Sequence, residues 1–571
     1  MRVLLVYPRA PRTFWSFDGA LSLMGRRVLL PPIGLITVAS LLPPHWQLRL
    51  VDTQIRPVRD QEWAWAQLVI LSGMIVHKRD LARLISLARA WRVPVAVGGP
   101  FATSTPEAPE LAAADYLILD EGEITIPRFV AAVEAGMGRG CFRAAGEKPD
   151  LTTSPVPRFD LLDFNAYDTM AVQFSRGCPF QCEFCDIIVL YGRRPRTKTP
   201  DQLIAELANL LRLGWRGDVF LVDDNFIGNR HNVRRLLQEL AAWQRRNGDP
   251  FTFTTEASLD LADDGPLMEA MVAARFRRVF LGIETPDSDS LVGARKLKNT
   301  RSPLLAAVDT ITAHGLQVMA GFILGFDAER PGAGERIVAF ITEAAIPVAM
   351  VGVLQALPNT ALWQRLEREG RLLKGDAGFA DGVQTHLLNF VPSRPMAEIA
   401  REFLQAFDRL YDPAAYLERV ARYCRRLPPP PPGGQRRPGQ QLRRLRALLI
   451  LCWRQGVQRP TRLAFWRHLA ALARRRGALL EDFLWMLALE EHFLAYRQEV
   501  REQVEAQLAL LPAADGAARP APADTARPSG AWAPLKEPVL VPLPSGDRPA
   551  RPGDPARVPV REAPRIRSRD A

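Results

Sequence analysis

Apolar runs of strand length alternate with helix-length segments over most of residues 1–360, and no other feature constrains the fold so tightly. A strand–helix–strand succession makes neighbouring strands parallel, and a parallel sheet must be covered on both faces. In residues 1–150 the strand runs are Arg2–Tyr7, Gln47–Val51 (ending at Asp52), Leu68–Ser72, Val95–Val97 and Tyr116–Leu119. Pro32–Leu42 and Lys78–Trp91 read as helices between them. This predicts an α/β, Rossmann-like doubly wound domain whose ligand lies beyond the C-terminal strand ends. Residues 150–164, DLTTSPVPRFDLLDF, form a Pro-punctuated linker. A second α/β unit over residues 165–360 offers six strand runs: Met170–Phe174, Val219–Val222, Phe251–Thr255, Arg278–Gly282, Gln317–Phe322 and Ala349–Gln355. Pro200–Leu213, Val233–Arg245, Gly265–Ala274 and Ser302–His314 read as helices among them. Six such units predict a partial (β/α)6 TIM-like barrel, with chemistry at the C-terminal strand ends.

The loop after the first barrel strand carries FSRGCPFQCEFCD, with Cys178, Cys182 and Cys185 spaced C-x3-C-x2-C. Three thiolates within eight residues can close around one metal centre. On a [4Fe–4S] cluster three cysteines leave one iron without a protein ligand, free to bind and reduce a small molecule. A zinc knuckle or disulfides are the alternatives, but zinc usually takes four ligands and no second CxxC pair is present. Cys141, Cys424 and Cys452 are scattered and read as structural, which fits a reducing, cytoplasmic setting. Arg176-Gly177 suits a tight turn before the first cysteine.

The barrel strands end in polar residues: Asp223-Asp224-Asn225 after the second, Glu256 after the third and Glu284 after the fourth. Gly321 and Gly325 flank the end of the fifth. Any one acid could instead cap a helix or sit in solvent. Arg193 and Arg194 read as a solvated charge run or as contacts for an anionic group, and Tyr191 as a packing aromatic.

The formal net charge is +12, and much of the excess is arginine in the C-terminal third. Such a balance suits nucleic acid, an anionic membrane surface or a basic tail. Residues 361–426 read as a helical extension of the core, 427–440 as a Pro/Gly linker and 441–510 as a separate helical region. Residues 511–571 lack periodicity and read as a disordered tail. Neither a signal peptide nor an apolar run of about 20 residues, the length of a membrane span, is visible. In RLAFWRHLAALARRRGALL, aromatic and aliphatic residues interleave with arginine. That pattern fits an amphipathic helix packed on the barrel or one lying on an anionic membrane.

The cysteine spacing, with Phe184 before the last cysteine, resembles the signature of the radical S-adenosylmethionine (SAM) superfamily. The resemblance implies a [4Fe–4S] cluster whose open iron chelates SAM and cleaves it to a 5′-deoxyadenosyl radical. It places Asp223, Asp224 and Asn225 near the SAM amino group and the floor of the site, and Glu284 on the ribose. Glu256 becomes a further polar contact, and Gly321 and Gly325 let backbone approach the adenine.

The segments VLLVYPRAP, LPPIGLITVASLLP, LVDTQI, SGMIVHKRDL, AVGGPFATSTPE and DEGE resemble the cobalamin-binding domain of such enzymes. A corrinoid would then lie on Gly98-Gly99-Pro100 and the loop Ser72, Gly73 and Met74. The Asp-x-His-x-x-Gly motif that supplies a lower cobalt ligand in another branch is absent. His77 reads as a surface or loop histidine. Over residues 1–425, FWSFD, VQFSRGCPFQCEFCDIIVLYGRRPRTK, VDDNFIGN, TTEAS, GIETP, NTRSP, VMAGFILGFD and LQALPNTALW resemble the hopanoid C-2 methylase subgroup. The C-terminal helices and tail stand outside this resemblance.

The resemblance implies a cobalamin-dependent methyltransferase acting on an unactivated carbon of a lipid-like or other small molecule. It also implies an external electron donor such as flavodoxin or ferredoxin; no nucleic-acid partner is expected, and the basic-aromatic pattern of the later helices allows peripheral membrane contact. The rivals are a radical SAM oxidative cyclase of the anaerobic porphyrin type, a tRNA methylthiolation enzyme and a metal-stabilised binding module. The tRNA enzyme needs three further cluster cysteines that Cys141 alone cannot supply.

Overall fold

The computed structural model describes residues 1–373, 384–431 and 440–510, all within one compact unit. Residues 511–571, and Gly433-Gly434 of the expected linker, lie outside the described residues.

Six parallel strands make the N-terminal sheet: β1 (Arg2–Tyr7), β2 (Gln47–Asp52), β3 (Leu68–Ser72), β4 (Val95–Gly98), β5 (Tyr116–Ile118) and β6 (Gly140–Phe142). Their order is β2-β1-β3-β4-β5-β6. The order reverses between β1 and β3, the topological switch point where such sheets bind ligands. Alternate residues of β1 enter two different cores. Leu4 and Val6 meet the face covered by α3 (Lys78–Ala90). Val3 and Leu5 meet the face covered by α2 (Ile33–Leu41) and α4 (Gly122–Glu134). An unbroken apolar run is what a strand covered on both sides requires. The short α1 spans Asp18–Leu23. Strand β6 and helix α4 are absent from the sequence reading, because GCF is only three residues long and Pro127 interrupts the helical pattern.

The second sheet contains β7 (Met170–Val172), β8 (Gly217–Leu221), β9 (Phe251–Ala257), β10 (Phe276–Glu284), β11 (Gln317–Leu324) and β12 (Val348–Val353). All pair in parallel and in consecutive order, so β7 and β12 are the edges of an open barrel. Helices α5 (Pro200–Arg212), α6 (Arg230–Arg246), α7 (Gly265–Ala273), α8 (Leu304–Ala313) and α9 (Ala333–Ala344) fill the crossovers.

The C-terminal helices α10 (Met396–Leu410), α11 (Pro413–Arg426), α12 (Gln440–Trp453), α13 (Arg462–Arg476) and α14 (Leu480–Ala509) follow. Sequence separates residues 441–510 from the core; the structure joins them to it. Asp482 on α14 accepts from Arg277 Nη2 at 2.7 Å and from Gln317 Nε2 at 2.6 Å, and Trp485 lies 4.4 Å from the Arg278 guanidinium. Those partners sit at the N-terminal starts of β10 and β11, so α14 closes the bottom of the barrel. The Phe14 ring stacks on Phe493 of α14 at 4.7 Å, and Trp15 meets Phe280 edge-on at 5.2 Å. A barrel with two free edges exposes apolar lumen, and α14 with residues 14–17 supplies the missing cover. Helix α13 buries Phe465 against Phe483 of α14.

Candidate active site between two parallel sheets

The three cysteines stand on the loop after β7, and none is in a disulfide. Glycine is required at the loop's entrance. Gly177 has φ +93°, and a Cβ there would lie 2.9 Å from the Gly192 carbonyl oxygen. Its amide donates to Asp224 Oδ2 at 2.7 Å. Asp223 braces the same segment: its carboxylate accepts from the Phe174 amide at 2.8 Å, the Ser175 amide at 2.9 Å and the Ser175 hydroxyl at 2.7 Å. These bonds hold the loop over the mouth of the barrel and commit Asp223 to the loop rather than to a ligand. Asn225 Nδ2 donates to Ser258 Oγ at 3.1 Å and lies 3.9 Å from Cys178 Sγ.

Among the described residues no set of three His, Cys, Asp or Glu side chains forms a ready-made metal cage. The donor set nevertheless suits an iron–sulfur cluster. Three free thiols share one loop, and burial pushes those of Cys182 and Cys185 up, so a bound metal cation would favour their thiolates. Lys298 stands 3.6 Å over the Phe180 ring of the same loop, and Lys296 forms a buried ion pair with Glu284. Sequence reasoning passed over both lysines; their only signal was the alternation KLKN.

Asp224, Glu256 and Glu284 reach the same mouth. Burial raises Asp224 to about 7 and Glu256 to about 8, and for Glu256 the neighbouring Asp224 and Asp223 add to the rise. The Glu256 carboxylate makes no hydrogen bond among the described residues. A pocket of crowded carboxylates favours a cationic ligand, as the sulfonium and ammonium groups of SAM would be. Glu284 holds φ +69° where β10 shifts register against β11, and Asn299 Nδ2 donates to the Gly282 and Ile283 carbonyls at 3.1 Å. Gly321 lies lower, where a Cβ would meet the Phe280 ring at 3.0 Å. Gly325 has φ +103°, faces Leu388 and donates its amide to Glu329 at 3.0 Å.

Ser72, Gly73, Met74, Gly98 and Gly99 stand apart from this group, at the C-terminal edge of the N-terminal sheet. Gly99 has φ +92°, and a Cβ there would lie 2.6 Å from Ser72 Oγ. The close approach at Gly99 is therefore to the protein's own loop. Met74 is 49% exposed, so the edge remains open beyond that loop. His77 is buried, contrary to the surface or loop reading. Its Nδ1 accepts from the Met74 amide at 3.1 Å, its ring lies 5.1 Å from Tyr7, and burial lowers its pKa to about 4.

The two edges face each other. Glu121 and Glu123, after β5, accept from Arg176 beside the cysteine loop at 2.8 and 2.9 Å, and Arg196 joins Glu121 at 2.8 Å. Burial alone would raise Glu123; the Arg176 charge and hydrogen bonds win and hold it at about 2. On another side Asn359, after β12, donates to the Ser104 carbonyl at 2.8 Å. By sequence Arg176 reads as a turn residue, and DEGE as one segment of the resemblance to a cobalamin-binding domain. Neither function is visible without the fold, because the partners are 53 and 55 residues apart. Arg193 and Arg194 are exposed.

Residues 172–341 match the radical SAM superfamily, and residues 360–506 match a domain of unknown function, DUF4070. The chain is 55% identical over 508 residues to an uncharacterized methyltransferase of Synechocystis, spanning 89% of this chain and 94% of that one. It is 35% identical to the hopanoid C-2 methylase of Rhodopseudomonas palustris, spanning 87% and 94%. These spans take in the C-terminal helices, so the likeness extends beyond the residues 1–425 expected from sequence. The cobalamin-dependent radical enzyme OxsB, solved with aqua-cobalamin, has a TM-score of 0.55 at 14% identity, covering 89% of this chain and 80% of that one. The radical SAM methyltransferase TsrM of Kitasatospora setae, solved with cobalamin and a [4Fe–4S] cluster, has a TM-score of 0.51 at 16% identity, covering 73% and 90%. Both share the fold. The chain belongs to the radical SAM superfamily, in the methyltransferase family that includes the hopanoid C-2 methylase.

Proposed function

We propose that the protein is a cobalamin-dependent radical SAM methyltransferase acting on an unactivated carbon of a lipid-like small molecule. One observation carries the reading: the C-terminal edges of two parallel sheets are joined by the buried bridges from Glu121 and Glu123 to Arg176 and Arg196. When bound, the cluster with SAM supplies a hydrogen-abstracting radical, and the corrinoid supplies the methyl group.

The protein's own residues bind, orient and shield. Cys178, Cys182 and Cys185 would hold the cluster, with Asp223 and Asp224 fixing their loop. Asp224 and Glu256 offer negative charge to the cationic SAM, and Glu284 is positioned by Lys296 beside them. Ser72, Gly73, Met74, Gly98 and Gly99 would seat the corrinoid on the opposite edge. An unactivated C–H bond needs no general base, and none is assigned. Trp15, Phe280 and Met350 pack together, with Trp15 Nε1 3.2 Å from Met350 Sδ, and give this part of the barrel an apolar character. The 35% identity to a hopanoid methylase supports the lipid-like class. The reading also calls for an external one-electron donor such as flavodoxin or ferredoxin.

The test is anaerobic purification with iron, sulfide and corrinoid measured together. Turnover with methyl-deuterated SAM and a bacterial lipid extract follows. The expected result is 5′-deoxyadenosine together with a lipid carrying the labelled methyl group. Zinc in place of iron, or no SAM cleavage, overturns the enzyme reading. SAM cleavage that yields a ring-closed product without label assigns an oxidative cyclase instead.

A further inference from the structure

Residues 440–480 contain ten arginines and neither aspartate nor glutamate. Within that stretch the structure exposes large apolar side chains. Leu445, Leu449 and Trp453 recur every four residues along α12, so they share one helix face, and they are 52%, 63% and 57% exposed. The π-helical turn Arg454–Gln458 continues this stripe with Val457, 47% exposed. Leu463 and Trp466 on α13 add two more, Leu463 being the more exposed of the pair.

The surface is built rather than frayed. Leu451 and Phe465 anchor the two helices in the core. The Trp466 indole donates to the Gly456 carbonyl at 2.9 Å, and its ring lies so close that a Cβ at Gly456 would come within 2.7 Å. Arg454 and Arg459 point inward to Glu491 at 3.0 and 2.8 Å. Arg446, Arg462, Arg467, Arg474 and Arg475 stay exposed around the apolar stripe.

From this face we infer that the protein docks through α12 and α13 on an anionic lipid bilayer. Clustered exposed Leu and Trp mark an interaction surface. Exposed arginines beside them match negative lipid headgroups, with the indoles at the interface and the apolar stripe in the acyl boundary. Nucleic acid would use the same charge but would leave the Leu residues without a partner. Among the described residues no helix is long and apolar enough to cross a membrane, so contact here is lateral. The inference deepens the lipid-substrate reading by bringing the enzyme to where such substrates reside. Its test reads binding without turnover, so either can fail alone.

The full chain is sedimented with vesicles of phosphatidylcholine, with or without phosphatidylglycerol. Binding to the anionic vesicles is expected, weakening as salt rises. The triple variant Leu449→Ser/Trp453→Ser/Leu463→Ser should bind at least tenfold more weakly. Neutralising Arg462, Arg467 and Arg474 to glutamine should cost roughly fivefold per arginine. Hydrogen exchange on the unaltered chain should show protection by vesicles within residues 445–466. No binding by the unaltered chain, unchanged binding by both variants, or protection confined to other segments overturns the inference. So does single-stranded RNA that displaces vesicles and binds the serine variant undiminished.

Discussion

At the C-terminal edge of the barrel the side chains are thiols, carboxylates and lysines; at the facing edge of the N-terminal sheet they are Ser72, Gly73, Met74, Gly98 and Gly99. The barrel mouth is organised by charge. Burial pushes Asp224 and Glu256 up, Lys296 is buried against Glu284, and the loop is tied down by Asp223 and Asp224. Around Ser72 and Gly99 the other edge is organised by shape, with glycine backbone folded against its own loop. A small cationic ligand needs the first kind of surface, and a large flat one needs the second. Glu121 and Glu123 with Arg176 and Arg196 join the two.

Replacing any one of Cys178, Cys182 and Cys185 with alanine should have the largest effect. SAM cleavage, read as 5′-deoxyadenosine, should fall below detection while corrinoid content is retained, because only the barrel edge is struck. Loss of corrinoid together with the cluster would break the division of labour. The bridge comes next. Arg176→Ala leaves Glu123 buried without its cation and should lower stability by about 3–5 kcal/mol in a urea titration. It should also raise the 5′-deoxyadenosine made per methyl transferred, since the two edges are no longer held in register.

Gly99→Ala forces a Cβ against Ser72 Oγ at a φ of +92° and should cost about 1–3 kcal/mol. Corrinoid content should drop, with SAM cleavage nearly unchanged; an equal loss of both would erase the contrast. The smallest effect concerns Glu256. Its folded-state pKa, about 8, lies above the ordinary value of 4.5, so the folded protein holds a proton that the unfolded chain has released between those pH values. The ionisation penalty is therefore absent below pH 4.5, grows as pH rises and is complete above about 8. Thermal melts of the ligand-free protein should show Glu256→Gln gaining on the unaltered chain as pH rises across that window. Added SAM should narrow the gap, since its cation favours the ionised carboxylate. A gap that stays flat with pH would remove the charge argument for the barrel mouth.

Much of this molecule was legible in its residues. Five strands of the first sheet and six of the second were legible, most of them as apolar runs because a parallel strand is covered on both faces, while β2 (QLRLVD) and β9 (FTFTTEA) alternate. The cysteine loop was visible because metal-ligand spacing is local. Other elements were not. Strand β6 is three residues long, and its pairing with β5 supplies what its own sequence lacks. His77 looked like a loop residue, yet its burial against Tyr7 depends on a strand 70 residues earlier.

Sequence alone determined the thiol donor set, the alternation that makes both sheets parallel, and the arginine excess of residues 440–480, since each is a property of neighbours along the chain. Tertiary structure decided that the two sheets meet edge to edge, that α14 closes the barrel floor, and that Asp223 serves the loop. Those outcomes depend on contacts between residues far apart in sequence, and no local pattern encodes which distant partner a buried charge or an uncovered apolar face will find.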